Sequence, residues 1–388
     1  MRIGMICCPF KTSFGAYGSA LQSALEARGG NIAVQWVASN CGCGDPIEAG
    51  RQFQSNRCDF FELPMPTGYR SKHAWRRCVR DVARSAMVYL RTQRYSSLLD
   101  QPDVVHFQQV LNGYGSRAVF SWLKHPTSAA RVVTVHELDP DQLEFSQTNI
   151  VYNRADAIIV HCEEMRHALI GLKVNPAKIH VVLYGTAIPS PDSHHDREGI
   201  VFYGGHKIMS GKGLETLFRA LALVRERRSR KPTLLRIHGH YGSTTPFEAQ
   251  QMANAHGVAD NVVWLNQIPE DAISELYQSS EICVLPFTKS FAGMAAAAAA
   301  ACQLPVIATR KAGLPDYLQN DGIWIEEDNA PQLAERILEL LDNESRQREI
   351  GARLLQRAKQ HLSWEVIADQ TLGIYADVIG ERVRPAAA

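Results

Sequence analysis

Two lysines stand five positions apart in a glycine-rich run, Gly204-Gly205-His206-Lys207-Ile208-Met209-Ser210-Gly211-Lys212-Gly213. The run follows an apolar segment, Ile200 to Tyr203, and opens the amphipathic series Leu214, Leu217, Leu221 and Val224. Two ammonium groups beside the free N–H groups of a helix N-terminus suit a diphosphate better than a lone carboxylate. A solvated lysine pair on a surface loop is the other reading. The order Gly-x4-Gly-Lys-Ser/Thr of a Walker loop is absent. A second anion site is expected where Lys289-Ser290-Phe291-Ala292-Gly293-Met294 leads into the seven alanines Ala295 to Ala301. There the chain reads as strand end, glycine turn and small-residue helix, then the strand after Pro305. A purely structural helix packed on a sheet fits the same pattern. His136 follows the apolar run Arg131 to Val135, where a histidine can donate to a hydroxyl or move a proton. Gly15, in the expected loop Phe14 to Gly18, would let a ligand approach closely.

The elements that position these residues alternate along the chain. Strands are expected at residues 2–8, 32–37, 104–107, 131–135, 157–160 and 179–183, with helical patterns between them. After the proline-rich stretch Pro189 to Asp196, a linker by composition, the alternation restarts. Strands are expected there at 200–203, 234–237, 262–265, 282–285, 306–308 and 323–325. Helices are expected over 333–341, 346–361 and 364–379. The pattern predicts an α/β protein of two doubly wound domains. Ligands of such sheets bind beyond the carboxyl ends of the strands, so the cleft between the domains is the expected site.

With 388 residues and 45% hydrophobic content, the chain can bury two cores. A net charge of +1 implies no global polyanion partner, and no nucleic acid is expected. No stretch approaches the roughly 20 apolar residues of a membrane span, and nine cysteines without a signal peptide read as reduced thiols of a cytoplasmic protein. Cys41-Gly42-Cys43 lacks a second ligand pair, so no metal is expected. From Arg70 to Arg94 the chain is basic with Trp75 and Tyr89 interleaved. That composition suits a peripheral contact with an anionic membrane surface, or simply a solvated helix face.

Several segments resemble the retaining glycosyltransferases of family four, which have the GT-B fold. They are Arg154 to Val160 with Lys178 to Val182, Asp260 to Leu265 with Ile268-Pro269-Glu270, Leu304 to Asp316, and Ser363-Trp364-Glu365. The resemblance implies an acceptor-side Rossmann-like domain over 1–190 and a nucleotide-sugar donor domain over 197–363, facing each other across a cleft. It also implies a last helix, 364–380, that crosses back. The family's diphosphate-binding Arg and Lys fall on Lys207 and Lys212, with Gly205 in the same donor loop. Its first-loop glycine falls on Gly15 and its cleft histidine on His136. Gly293 and Met294 stand where backbone N–H groups meet phosphate. The two glutamates of the family's Glu-x7-Glu motif fall on Ser290 and Ala298, beside the donor sugar and the ribose. The implied activity is that of a hexosyltransferase in polysaccharide or related biosynthesis. It would use a UDP- or GDP-sugar as substrate, without cofactor, and a glycan, lipid-linked or small-molecule acceptor. A GT-B protein that binds without turnover is the alternative implied by the missing glutamates. A nucleotide-sugar epimerase is a third, whose carboxylates are not evident.

Overall fold

The computed structural model describes residues 1–7, 13–29, 32–40, 58–62, 101–108, 129–136, 138, 148–190, 197–204, 211–228, 233–239, 245–265, 268, 270–289, 293–311 and 313–383. The chain divides into two compact units, the first Met1–Val182 with Ile367–Ala388 and the second Leu183–Val366.

In the first unit the strands are β1 (Arg2–Cys7), β2 (Ala33–Asn40), β3 (Cys58–Glu62), β4 (Val104–Gln108), β5 (Ala130–Val135), β6 (Ala157–Val160) and β7 (Ile179–Val181). They form one sheet in the order β3-β2-β1-β4-β5-β6-β7, every pair parallel. Residues 104–108 and 157–160 are buried throughout, as strands covered on both faces must be. β3 was not among the expected strands. It lies at the edge of the sheet, and Cys-Asp-Phe-Phe-Glu has none of the continuous apolar character of a central strand. Helix α1 (Ser13–Ala27) follows β1. Tyr17, Leu21 and Leu25 recur every four residues and are fully buried. Helices α2 (Thr148–Tyr152) and α3 (Glu163–Gly171) come later in this unit.

The second unit repeats the plan with β8 (Ile200–Tyr203), β9 (Leu235–His238), β10 (Val262–Trp264), β11 (Ile282–Leu285), β12 (Val306–Thr309) and β13 (Ile323–Ile325). Their order is β10-β9-β8-β11-β12-β13, again all parallel. Sequence neighbours β10 and β11 lie at opposite sides of β9 and β8, so the order reverses between β8 and β11. Helices α4 (Leu214–Arg227), α5 (Thr245–Ala255), α6 (Glu270–Gln278), α7 (Met294–Ala301), α8 (Leu314–Leu318), α9 (Ala330–Leu341) and α10 (Glu344–Arg357) connect the strands and close the unit. Asn329 and Asn343 cap α9 and α10, their side chains accepting from the amides of Gln332 and Arg346. The alanine helix α7 packs on α10. Gly351 lies so close to the Gln303 carbonyl that a β-carbon would overlap it.

The last helix, α11 (Trp364–Val383), belongs to the first unit from Ile367 onward. It is fixed there by Arg28, which pairs with Asp369, and by a buried contact at the sheet. The hydroxyl of Tyr375 lies 2.6 Å from His106 Nδ1, and His106 Nε2 lies 2.7 Å from Thr134 Oγ1. None of His106, Thr134 and Tyr375 is exposed to solvent. Burial, with the nearby His161, lowers the His106 pKa from 6.5 to about 3, so the ring is neutral.

This fixes an acid dependence. An unfolded chain takes up the His106 proton near pH 6.5, whereas the folded chain resists it down to about 3. His106 therefore supports the fold fully above pH 6.5, and that support is lost as pH falls below it. Each pH unit of that descent costs about 1.4 kcal/mol per such histidine. Denaturant titration between about pH 8 and pH 5 should show falling stability of the first unit, with a shallower fall in His106→Gln. Equal slopes in both proteins would rule out His106 as a source.

Candidate functional site

At the carboxyl ends of β8 and β11, where the strand order reverses, a short loop is stitched to the next connection. The amides of Thr288 and Lys289 donate to the Gly211 carbonyl at 3.0 and 3.3 Å. Gly211 and Gly213 have φ of 73° and 72°, a region glycine adopts without penalty. A β-carbon at Gly213 would also overlap the Pro286 carbonyl oxygen. Between these two glycines stands Lys212. It is only 6% exposed, with Nζ 4.0 Å from the centre of the Phe287 ring and 5.3 Å from that of Tyr203. The π faces favour the ammonium where burial would otherwise disfavour it. Tyr203 stacks in turn on His238, whose Nε2 lies 3.1 Å from the Tyr277 hydroxyl. Burial lowers the His238 pKa from 6.5 to about 4, so this ring is neutral. Gly213 is the N-cap of α4, and its carbonyl accepts from Leu217.

The connection bound to Gly211 leads on to α7. Gly293 caps that helix, and its carbonyl accepts from Ala297 at 2.9 Å. It lies directly on the Tyr317 ring, so that a β-carbon there would overlap the ring atoms. The Tyr317 hydroxyl accepts from the Tyr184 amide at 2.9 Å. Six of the alanines of α7 are buried. Met294 and Ala298, one helical turn apart, are the part-exposed positions and share one face. Lys212, Gly293, Met294 and Ala298 are thus carried by segments that meet at one edge of one sheet. Lys207, Gly205 and Ser290 lie outside the described residues. So do Cys41, Cys43 and the basic run from Arg70 to Arg94. Among the described residues no helix is long and apolar enough to cross a membrane.

In the first unit the structure corrects one expectation and enlarges another. Gly15 is not in a loop. It lies in the first turn of α1, because the buried series Tyr17, Leu21 and Leu25 carries the helix back to Ser13 despite two glycines in five residues. His136 follows β5 as expected and is 4% exposed. Its Nδ1 lies 2.9 Å from His161 Nε2, and its Nε2 lies 3.1 Å from the side-chain amide of Gln108. His161 Nδ1 donates to the Val182 carbonyl at 2.9 Å. Tyr17 packs on both rings at centroid distances of 4.8 and 5.0 Å. Burial holds the His136 pKa well below 6.5 and lowers that of His161 to about 4. His106, Gln108, His161 and Tyr17 were not singled out in the sequence. The available signal was a polar residue at or just past the end of each of three adjacent apolar strands.

Comparison with known proteins agrees with this architecture. Residues 188–359 match the family model described as "Glycosyl transferases group 1", and residues 15–185 match "Glycosyl transferase 4-like domain". A D-inositol 3-phosphate glycosyltransferase of Jonesia denitrificans is 26% identical over 314 residues, 74% of this chain and 73% of the relative. Enzymes of the same name from Paenarthrobacter aurescens and Corynebacterium aurimucosum are 27% and 26% identical. The matches cover 50% and 64% of this chain, but only 47% and 64% of those relatives. Among solved structures, a sucrose-phosphate synthase from Thermosynechococcus elongatus superposes with a TM-score of 0.76 at 19% identity, over 98% of this chain and all of that one. Anabaena HepE, solved in complex with UDP and glucose, gives a TM-score of 0.72 at 16% identity, over 97% of this chain and all of that one. At such identities the structural likeness speaks for the fold. The two family models, one for each unit, carry it to an activity: the chain belongs to the family-four glycosyltransferases of GT-B fold and is a sugar-transferring enzyme.

Proposed function

We propose that the chain moves a sugar, with retention, from a UDP- or GDP-linked donor to a glycan, lipid-linked or small-molecule acceptor. The observation that carries this reading is Lys212, a buried cation fixed at the carboxyl edge of β8 and β11 next to the connection that leads into α7. In this reading the donor diphosphate lies against Lys212, Lys207 and the amides at Gly293 and Met294, with Gly205 and Ser290 in the same donor region. The acceptor hydroxyl attacks the sugar from the face the phosphate leaves. A carbon–oxygen bond forms as the bond to phosphate breaks, the electron pair departs on the phosphate, and the hydroxyl proton passes to that phosphate oxygen. No side-chain nucleophile is required. The cations and amides stabilise the charge that gathers on the leaving group. Gly15 and His136 belong to the acceptor-side unit. The complexes of HepE with UDP and glucose support a nucleotide donor by analogy. A basic contact with anionic membrane, where a lipid-linked acceptor would lie, fits the Arg70 to Arg94 run.

A second reading, binding without turnover, is favoured by Ala298, a methyl group on the part-exposed face of α7 where the family carries a glutamate. A thermal-shift screen across nucleotide sugars, followed by an assay for released UDP or GDP, separates the two. A ligand that binds stabilises the fold by RT ln(1 + [L]/Kd). Binding with release upholds the enzyme, and binding without release the scaffold.

Two variants sharpen the reading. Lys212→Ala should keep the fold and lower turnover about 100-fold or more. Undiminished release of nucleotide by the folded variant would remove Lys212 from the reaction. Ala298→Glu places its carboxylate on a part-exposed face, so the melting temperature should stay within a few degrees. If the ribose lies along this helix, calorimetry should show UDP or GDP binding about ten- to a hundredfold tighter. Unaltered affinity would put the ribose elsewhere.

A further inference from the structure

The carboxyl ends of β4, β5 and β6 carry a buried chain of hydrogen bonds that the donor reading leaves unused. It runs from the Val182 carbonyl through His161 and His136 to Gln108. The Gln108 amide also lies 3.4 Å from His106 Nδ1, which is bound to Tyr375 of α11. The direction of every proton in the first part of this chain follows from one fixed group. A backbone carbonyl can only accept, so His161 carries its proton on Nδ1. Burial keeps both rings uncharged. Neutral His161 therefore offers a lone pair at Nε2, and His136 must keep its own proton on Nδ1 to meet it. His136 Nε2 is then an acceptor. It faces the Gln108 amide, whose oxygen and nitrogen exchange places without change of shape, so the amide turns its NH2 group to the ring. Tyr17 packs against both imidazoles and holds their planes.

We infer that His161 and Gln108 are positioning residues for His136, with the Val182 carbonyl acting through His161 to fix His136 as the Nδ1–H tautomer. His136 thereby presents a hydrogen-bond acceptor at Nε2 rather than a donor. The inference deepens the reading of His136 as a site residue and rests on it. Val182 is also the last residue before the chain passes into the second unit, so the tautomer is set by the backbone at that passage.

The test is nitrogen-15 spectroscopy of the histidine side chains of the full chain at about pH 7.5, with His136→Gln and His161→Gln used to assign the signals. Both rings should show a protonated Nδ1 and an unprotonated Nε2. In His161→Phe, His136 loses its acceptor, its proton moves to Nε2 and the pattern inverts. Release of UDP from UDP-glucose, or of GDP from GDP-mannose, should then fall about tenfold in kcat with little change in KM, the effect of one hydrogen bond. His161→Gln, whose amide can both donate to Val182 and accept from His136, should restore most of the rate. A wild-type His136 protonated on Nε2 alone, or on both nitrogens, overturns the inference even if His161→Phe does not fold. An unchanged pattern in folded His161→Phe overturns it too. An inverted pattern with unaltered turnover upholds the wiring but removes His136 from the reaction, a failure of the functional reading instead.

Discussion

A parallel sheet covered on both faces can carry a polar side chain inside a strand only where a partner meets it, and this constraint organises both units. Along Val104 to Phe107, Ile158 to Val160 and Ile282 to Leu285 nearly every side chain is apolar and buried. His106 is the exception inside a strand, and its two ring nitrogens meet two hydroxyls. At the carboxyl ends the restriction lifts. Gln108, His136, His161, His238 and Thr309 gather there, each with a hydrogen-bond partner. The starts of α4 and α7, capped by Gly213 and Gly293, lie at the second of these edges. Chemistry collects at one rim of each sheet because inside the strands every polar group needs a buried partner.

The seat of Lys212 shows how close packing turns this rim into a cation site. Two left-handed glycines bring the loop against Pro286 and Lys289 so tightly that no other residue fits without displacement. The lysine ammonium then faces the rings of Phe287 and Tyr203. The alanine helix works by the same economy of volume. Its small side chains let α10 approach, while Met294 and Ala298 stay on the open face.

Tyr317 and Tyr375 play comparable parts in the two units. Each buries its ring completely and places its hydroxyl in a specific bond, to the Tyr184 amide in one case and to His106 in the other. Tyr184 is the second residue after the chain enters the second unit, and Tyr375 lies in the helix that returns to the first. A buried phenol that found no partner would cost about 1–3 kcal/mol, so these bonds discriminate strongly among packings of the crossing segments.

The alternation of apolar strands and amphipathic helices, with its restart after Asp196, was legible because burial on both faces writes itself as continuous apolar runs. The Gly211-Lys212-Gly213 turn ahead of α4 and the alanine helix were legible for a similar reason, since their composition is extreme. The edge strand Cys58–Glu62 was not legible, because an edge is free of the constraint that makes central strands apolar. The helical place of Gly15 was hidden by a local glycine signal that the buried series Tyr17, Leu21 and Leu25 overrides. The partners of His136 could not be read at all. Gln108, His161 and Val182 lie far from it in sequence and are brought to it by strand order and register alone. Sequence determined which segments become strands and helices, since that depends on near neighbours. Only the tertiary structure decided which polar groups share a proton, since that depends on which strands lie side by side.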